Sequence, residues 1–141
     1  MRLQKFGWTI YQILARGAVV GALLLVWACG VSRFPALEGE RTFYLYSPSS
    51  QATRTYTLSV KDLGKIRGES AQVEGVTAEE LMKTLRAELL FVEESAGARS
   101  YYCYTDEWTD GVYVGEYYVN LQIAERADGC VVGAPMIFGG F

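Results

Sequence analysis

The sequence predicts an α+β protein: an N-terminal membrane helix or signal segment, then an antiparallel sheet with one main helix packed on one face. Three observations point there. An uncharged run of 16 residues, Gly17 to Ser32, follows the basic residues Arg2, Lys5 and Arg16. One capped amphipathic stretch, "VTAEELMKTLRAELLFV", carries helical periodicity. The remaining segments are β-branched and aromatic runs parted by short turn clusters, the pattern of antiparallel strands.

The N-terminal segment comes first. Residues 1–28 hold three bases and no acid. A basic flank followed by an apolar run is what a translocon recognises, with the flank left on the cytoplasmic side. Residues 1–32 therefore read as a signal peptide or membrane anchor, with 17–32 contacting the membrane. Three fates fit. Val26 and Ala28 are small enough for a cleavage site ending at Ala28. "VWAC" resembles a lipoprotein box with Cys29 as the acylated residue. A retained anchor needs about 20 apolar residues, which Ile10 to Ala15 supply if Arg16 snorkels to the interface.

Residues 33–41 are a linker with Pro35, and 42–141 form an extracytoplasmic domain. "RTFYLY" alternates as a strand, "SPSSQA" is a turn, and "TRTYTLSV" returns as a half-buried strand. Gly64 and Gly68 break "KDLGKIRGES", which reads as loop; "ESAQVEG" is a short strand. In the helical stretch Thr77 and Glu80 have capping-box spacing, and Val76 and Leu81 form a hydrophobic staple. Ala78, Leu81, Met82, Leu85 and Leu89 share the buried stripe, and Glu79 and Lys83 are spaced for an exposed ion pair worth about 0.3–0.5 kcal/mol. "LLFVEE", "RSYYCYT", "VYV" and "YYVNLQIAE" then read as strands. Gly115-Glu116 is a type II′ hairpin turn, "RADG" is the next turn, and "CVVGAPMIFGGF" closes the sheet.

Charge and missing residue types exclude several functions. Beyond residue 28 there are 10 bases against 16 acids, a net of −6, and from Asp106 onward Arg126 is the only base. Nucleic-acid binding needs a basic face, so it is excluded. The chain has no histidine, which removes Ser-His-Asp and Cys-His catalysis and histidine-bearing zinc sites. Ser49 and Ser50 lack a lysine at Ser-x-x-Lys spacing. Cys103 has no activating partner. In meander order it stands two strands from Cys130, about 10 Å away at ~4.8 Å per strand, beyond the roughly 7 Å a disulfide tolerates. Two buried thiols are expected. No cofactor or metal is implied.

What remains is aromatic and acidic. Tyr102, Tyr104, Trp108, Tyr113 and Tyr118 fall on neighbouring strands and loops, where they either pair across strands or form a platform for a protein or glycan. Asp106, Asp110 and Glu116 are the carboxylates available to a small hydrolase or glycan-acting enzyme.

"VNLQIAERADGCVVGAPMIFGGF", with "SYYCYT" and "GVTAEELMKTL", resembles the YwmB-like proteins of Gram-positive spore-formers over about Gly68 to Phe141. The shared pattern includes a closing Gly133, Pro135, Ile137 and Phe141. The resemblance implies an exported or membrane-anchored envelope protein, a role in sporulation or wall assembly, and a fold like half of the TATA-box-binding protein. It transfers no catalytic residue. Three functions follow in order: a non-enzymatic envelope domain contacting another envelope protein or the wall, a small envelope hydrolase using Asp106, Asp110 or Glu116, and an exported small-ligand-binding module.

Overall fold

The computed structural model describes residues 2–47, 52–95 and 97–138, with side chains described except at 2–9, 25–31, 60 and 63. The chain divides into two compact units, Met1–Pro35 and Ala36–Phe141. The first holds helix α1, Arg2–Val31. Along the stretch with described side chains, Ile10, Tyr11, Ile13, Leu14, Val19, Val20, Leu23 and Leu24 are exposed. Among the described residues, no helix is long and apolar enough to cross a membrane. The side chain of Cys29, and the serines Ser49 and Ser50, lie outside the described residues.

The second unit is α+β. Strands β1 (Glu40–Leu45), β2 (Thr53–Thr55), β3 (Ile66–Glu74), β4 (Ala87–Ser95), β5 (Ala98–Thr105), β8 (Leu121–Arg126) and β9 (Gly129–Ala134) make one sheet in the order β2-β1-β3-β9-β8-β5-β4. Every neighbouring pair is antiparallel. A separate ribbon pairs β6 (Val112–Val114) with β7 (Tyr117–Val119). Helix α2 (Ala78–Thr84) packs on β4 and β8.

The cap of α2 forms as the spacing predicts. Thr77 Oγ1 accepts the Glu80 N–H at 3.3 Å, and the Glu80 carboxylate accepts the Thr77 N–H at 3.0 Å. Ala78, Leu81 and Leu85 are buried, as are Leu121, Ile123, Val132 and Cys103 in the sheet. The helix is shorter than its periodicity suggests. It stops at Leu85, Arg86 adopts φ +49°, and "AELLFVEES" becomes β4. Leu89 therefore leaves the helical stripe and stands 44% exposed on an edge strand. Thr105 Oγ1 donates to the Leu85 carbonyl at 2.8 Å, so an orphan carbonyl at the helix end is satisfied by a strand. Cross-strand pairing with β5 overrides helix propensity here.

Two other expectations change. "TRTYTLSV" is a strand only over Thr53–Thr55, because Thr55 Oγ1 donates to Thr57 O at 2.7 Å and accepts Thr57 N–H at 3.3 Å. That local turn competes with the ladder. "KDLGKIRGES" is a 3-10 turn, Val60–Lys65, followed by the nine-residue β3. Gly68 reads as a breaker but is a strand residue. A Cβ there would lie 2.6 Å from the Phe138 ring and 2.8 Å from the Ala134 carbonyl, so only glycine fits.

The hairpin turn at Gly115 forms, with φ +62°. "YYVNLQIAE" is split at the fully buried Asn120, which ends β7 and sends the chain into the main sheet as β8. Its Oδ1 accepts the Thr105 N–H at 2.8 Å, and its Nδ2 donates to the Thr105 and Trp108 carbonyls at 2.7 and 3.0 Å. Cys103 and Cys130 are both free and buried, with β8 between their strands.

Candidate functional site

Strand alternation gives the sheet two unlike faces. Glu125 Oε1 accepts the Ala78 N–H at 3.0 Å, which places Glu125, Ile123 and Leu121 on the α2 side. Gln122, Ala124 and Arg126 take the other side. Register carries this across the sheet: Gln122 opposes Gly133, Gly133 opposes Ser70, and Ser70 opposes Thr42. This second face therefore carries Glu40, Thr42 and Tyr44 from β1, Ser70 and Gln72 from β3, and Val131 from β9. It has no helix among the described residues of this unit.

The C-terminal segment walls one side of that face. The Ala134–Pro135 peptide is cis, and the chain then folds back over the strands. Ile137 N–H donates to Gln122 Oε1 at 3.0 Å. The Phe138 ring meets Tyr44 edge-on at 5.6 Å and lies 4.4 Å from the Arg67 guanidinium carbon. Gly133 makes this possible, since a Cβ there would come within 2.6 Å of the Ile137 nitrogen.

Between this wall and β2 lies a cleft of about 290 Å³. Thr42, Ser70, Gln72 and Val131 line its strand floor, Tyr44, Tyr56 and Ile137 border it, and Glu40, Arg54 and Arg126 supply its charges. Tyr44 and Ser70 share a hydroxyl–hydroxyl hydrogen bond of 3.2 Å. The lining holds two guanidinium groups against one carboxylate, a positive patch in an acidic domain. Arg126 also borders a second cleft of about 440 Å³, formed with Glu94, Arg99, Glu125 and the β4–β5 turn. The lining side chains can donate and accept hydrogen bonds and can pair with an anion.

The sequence-selected aromatics divide between two places. Tyr102 and Tyr104 lie on the open face of β5. Tyr102 stacks on Phe91 at 4.4 Å and 11°, and its hydroxyl donates to Glu93 at 2.9 Å. Burial, then Glu93, pushes this phenol up to about 12. Asp106, hydrogen-bonded to Tyr104, raises that phenol too. Trp108 Nε1 donates to the Asn120 carbonyl at 2.8 Å, and the Tyr118 hydroxyl donates to the Thr109 carbonyl at 2.9 Å. Tyr113 meets Tyr118 edge-on at 5.1 Å and stands 76% exposed. These groups mostly hold the ribbon and its loop together. Sequence reasoning missed Phe91, whose ring also lies 5.2 Å from that of Tyr117.

The carboxylates are dispersed. Asp106 and Asp110 are exposed on the β5–β6 connection, Glu116 is exposed on the β6–β7 turn, and none of the three borders either cleft. No cluster of metal-ligating residues occurs among the described residues. Cys103 and Cys130 are buried, and desolvation pushes their thiols up to about 12 and about 11. Neither borders a described cleft. The cleft residues were not legible as a site, because five strands contribute them and only the long-range register brings them together. Comparison with family models, with curated proteins and with solved structures finds no match for the chain.

Proposed function

We propose that the chain is a YwmB-like bacterial envelope protein, exported or anchored through residues 17–32, whose α+β domain binds a partner or ligand without catalysing a reaction. The observation that carries the binding role is the unequal covering of the sheet. One face is packed under α2, and the other presents a cleft of hydroxyl, amide and guanidinium groups. The envelope location rests on the basic flank and the uncharged run from Gly17 to Ser32. In this reading the domain has the half-saddle fold of the TATA-box-binding protein, with its open face turned to a ligand rather than to nucleic acid. The acidic charge supports that choice. Binding ranks above hydrolysis because Asp106, Asp110 and Glu116 sit on exposed loops away from the cleft.

Among binding roles, the cleft favours the small-ligand module over a flat contact with another protein. External protease on intact protoplasts tests the location: the domain should be degraded without lysis, and survival intact overturns the envelope reading. A photo-reactive side chain at the exposed cleft residue Tyr56 tests the face. It should capture partner or ligand material in intact cells, whereas one at the exposed Lys83 of α2 should not. Equal capture at both positions overturns the role of the open face.

A further inference from the structure

Resting on the reading of the open face as a binding surface, we propose that its cleft takes a small ligand bearing one carboxylate and several neutral hydrogen-bonding groups, with Arg126 as the anchor. Arg126 is the only base from Asp106 onward, and alternation along β8 turns it onto the open face with Gln122. Its Nε is buried and no hydrogen bond satisfies it. The nearest acid, Asp128, places Oδ1 3.6 Å away and is itself 71% exposed. A solvent-exposed pair of this kind contributes little, while a buried guanidinium N–H without an acceptor is costly. The side chain as a whole is 29% exposed and borders the cleft, so an incoming carboxylate can pair with the accessible edge of its planar guanidinium fork.

Charge points the same way. Arg54 and Arg126 outnumber Glu40 in the cleft, inside a domain of net negative charge. An anion entering the cleft therefore meets less repulsion than the net charge of the domain implies. With Asp128 beside Arg126 counted, two guanidinium groups face two carboxylates, so the site gives a dianion such as phosphate no charge advantage over a monoanionic carboxylate. Arg54 and Arg126 stand on strands four places apart in the sheet, β2 and β8, so they flank the cleft rather than converge on one group. Between them Thr42, Ser70 and Gln72 offer neutral donors and acceptors suited to hydroxyls or amides, and Val131 and Ile137 offer a small apolar patch. A short peptide ending in a free carboxylate and an acidic sugar share this chemistry.

Ligand-observed NMR on the full chain tests the proposal with N-acetyl-alanyl-alanine, glucuronic acid, the primary-amide form of each, and inorganic phosphate. At least one acid should bind with a millimolar-order Kd, roughly as expected for a small polar ligand, and its amide should not. Arg126→Gln should weaken that binding about tenfold or more, Arg126→Lys less, and Lys83→Gln not at all. Which acid binds separates a peptide from a sugar source. Failure of both acids, equal binding by Arg126→Gln, or stronger binding of phosphate each overturns the proposal. Equal binding of acid and amide overturns the carboxylate anchor while leaving the open face as a binding surface. The acid–amide comparison on the unmodified protein keeps the test decisive if Arg126→Gln fails to fold.

Discussion

Asn120 holds Thr105 from both sides, accepting its N–H at 2.8 Å and donating to its carbonyl at 2.7 Å. Both residues are buried, so the pair replaces a stretch of ladder where the chain leaves the β6–β7 ribbon for the main sheet. Asn120→Ala removes both bonds and the third to Trp108, leaving buried backbone groups without partners. We expect a loss of about 2–4 kcal/mol, measured as a lower urea midpoint with an unchanged slope.

Leu81 is the apolar anchor of α2, 1% exposed over the sheet. Leu81→Ala should cost about 2–4 kcal/mol. Leu81→Asp places a charge in the same position and should unfold the domain at neutral pH. A thermal midpoint near that of the wild type in the aspartate variant would show that α2 does not close the core.

Gly133→Ala brings a methyl group against the Ile137 backbone. The 135–138 segment must then lift or the strand must shift, at roughly 1–3 kcal/mol. Limited proteolysis by a protease that cuts after aromatic residues should cleave faster at Phe138. An unchanged rate would mean that the segment is not held by this contact.

Cys103 and Cys130 should resist iodoacetamide in the folded protein at pH 8 and react in denaturant. Burial keeps both as thiols, with pKa values pushed up to about 12 and about 11 from 9.0. Only the thiolate attacks. Rapid labelling of either site under native conditions would place it at an accessible surface.

The same shifts bear on stability in alkali. For Cys103, Cys130 and Tyr102 the folded state holds the proton more tightly than the unfolded chain. Their contribution to stability is full below the unfolded pKa values, near 9 to 10, and is lost as pH rises toward 11 to 12. Urea midpoints should therefore fall between pH 9 and pH 12. Cys103→Ala together with Cys130→Ala should flatten that fall, though not abolish it, because Tyr102 remains.

The legible features were mainly local. Thr77 and Glu80 announce a cap because both partners lie within one turn, and Gly115 announces a hairpin because its turn demands positive φ. The order of β5, β8 and β9, with a thiol on each outer strand, was legible from the adjacent runs, but the β6–β7 hairpin between β5 and β8 forms a ribbon of its own rather than part of that sheet. What escaped depends on distant pairing. Gly68 reads as a breaker until Phe138 is seen above it. Leu89 suits a helix until Cys103 is found opposite it on β5. Arg126 is conspicuous in sequence as an isolated base, but Thr42, Ser70 and Gln72 become its neighbours only when β3 pairs with β9.

That β3–β9 pairing has a consequence for the order of events during synthesis. Glu69 pairs with Ala134, and Glu74 with Gly129, across most of the domain's length. A chain delivered from its N-terminus presents β1, β2 and β3 with an open edge while α2, β4, β5 and β8 are still arriving. The cleft has no far wall until β9 docks and the 135–138 segment turns back. The strand that covers the open edge of β3 is thus the same one that completes the cleft, so only fully delivered molecules present it.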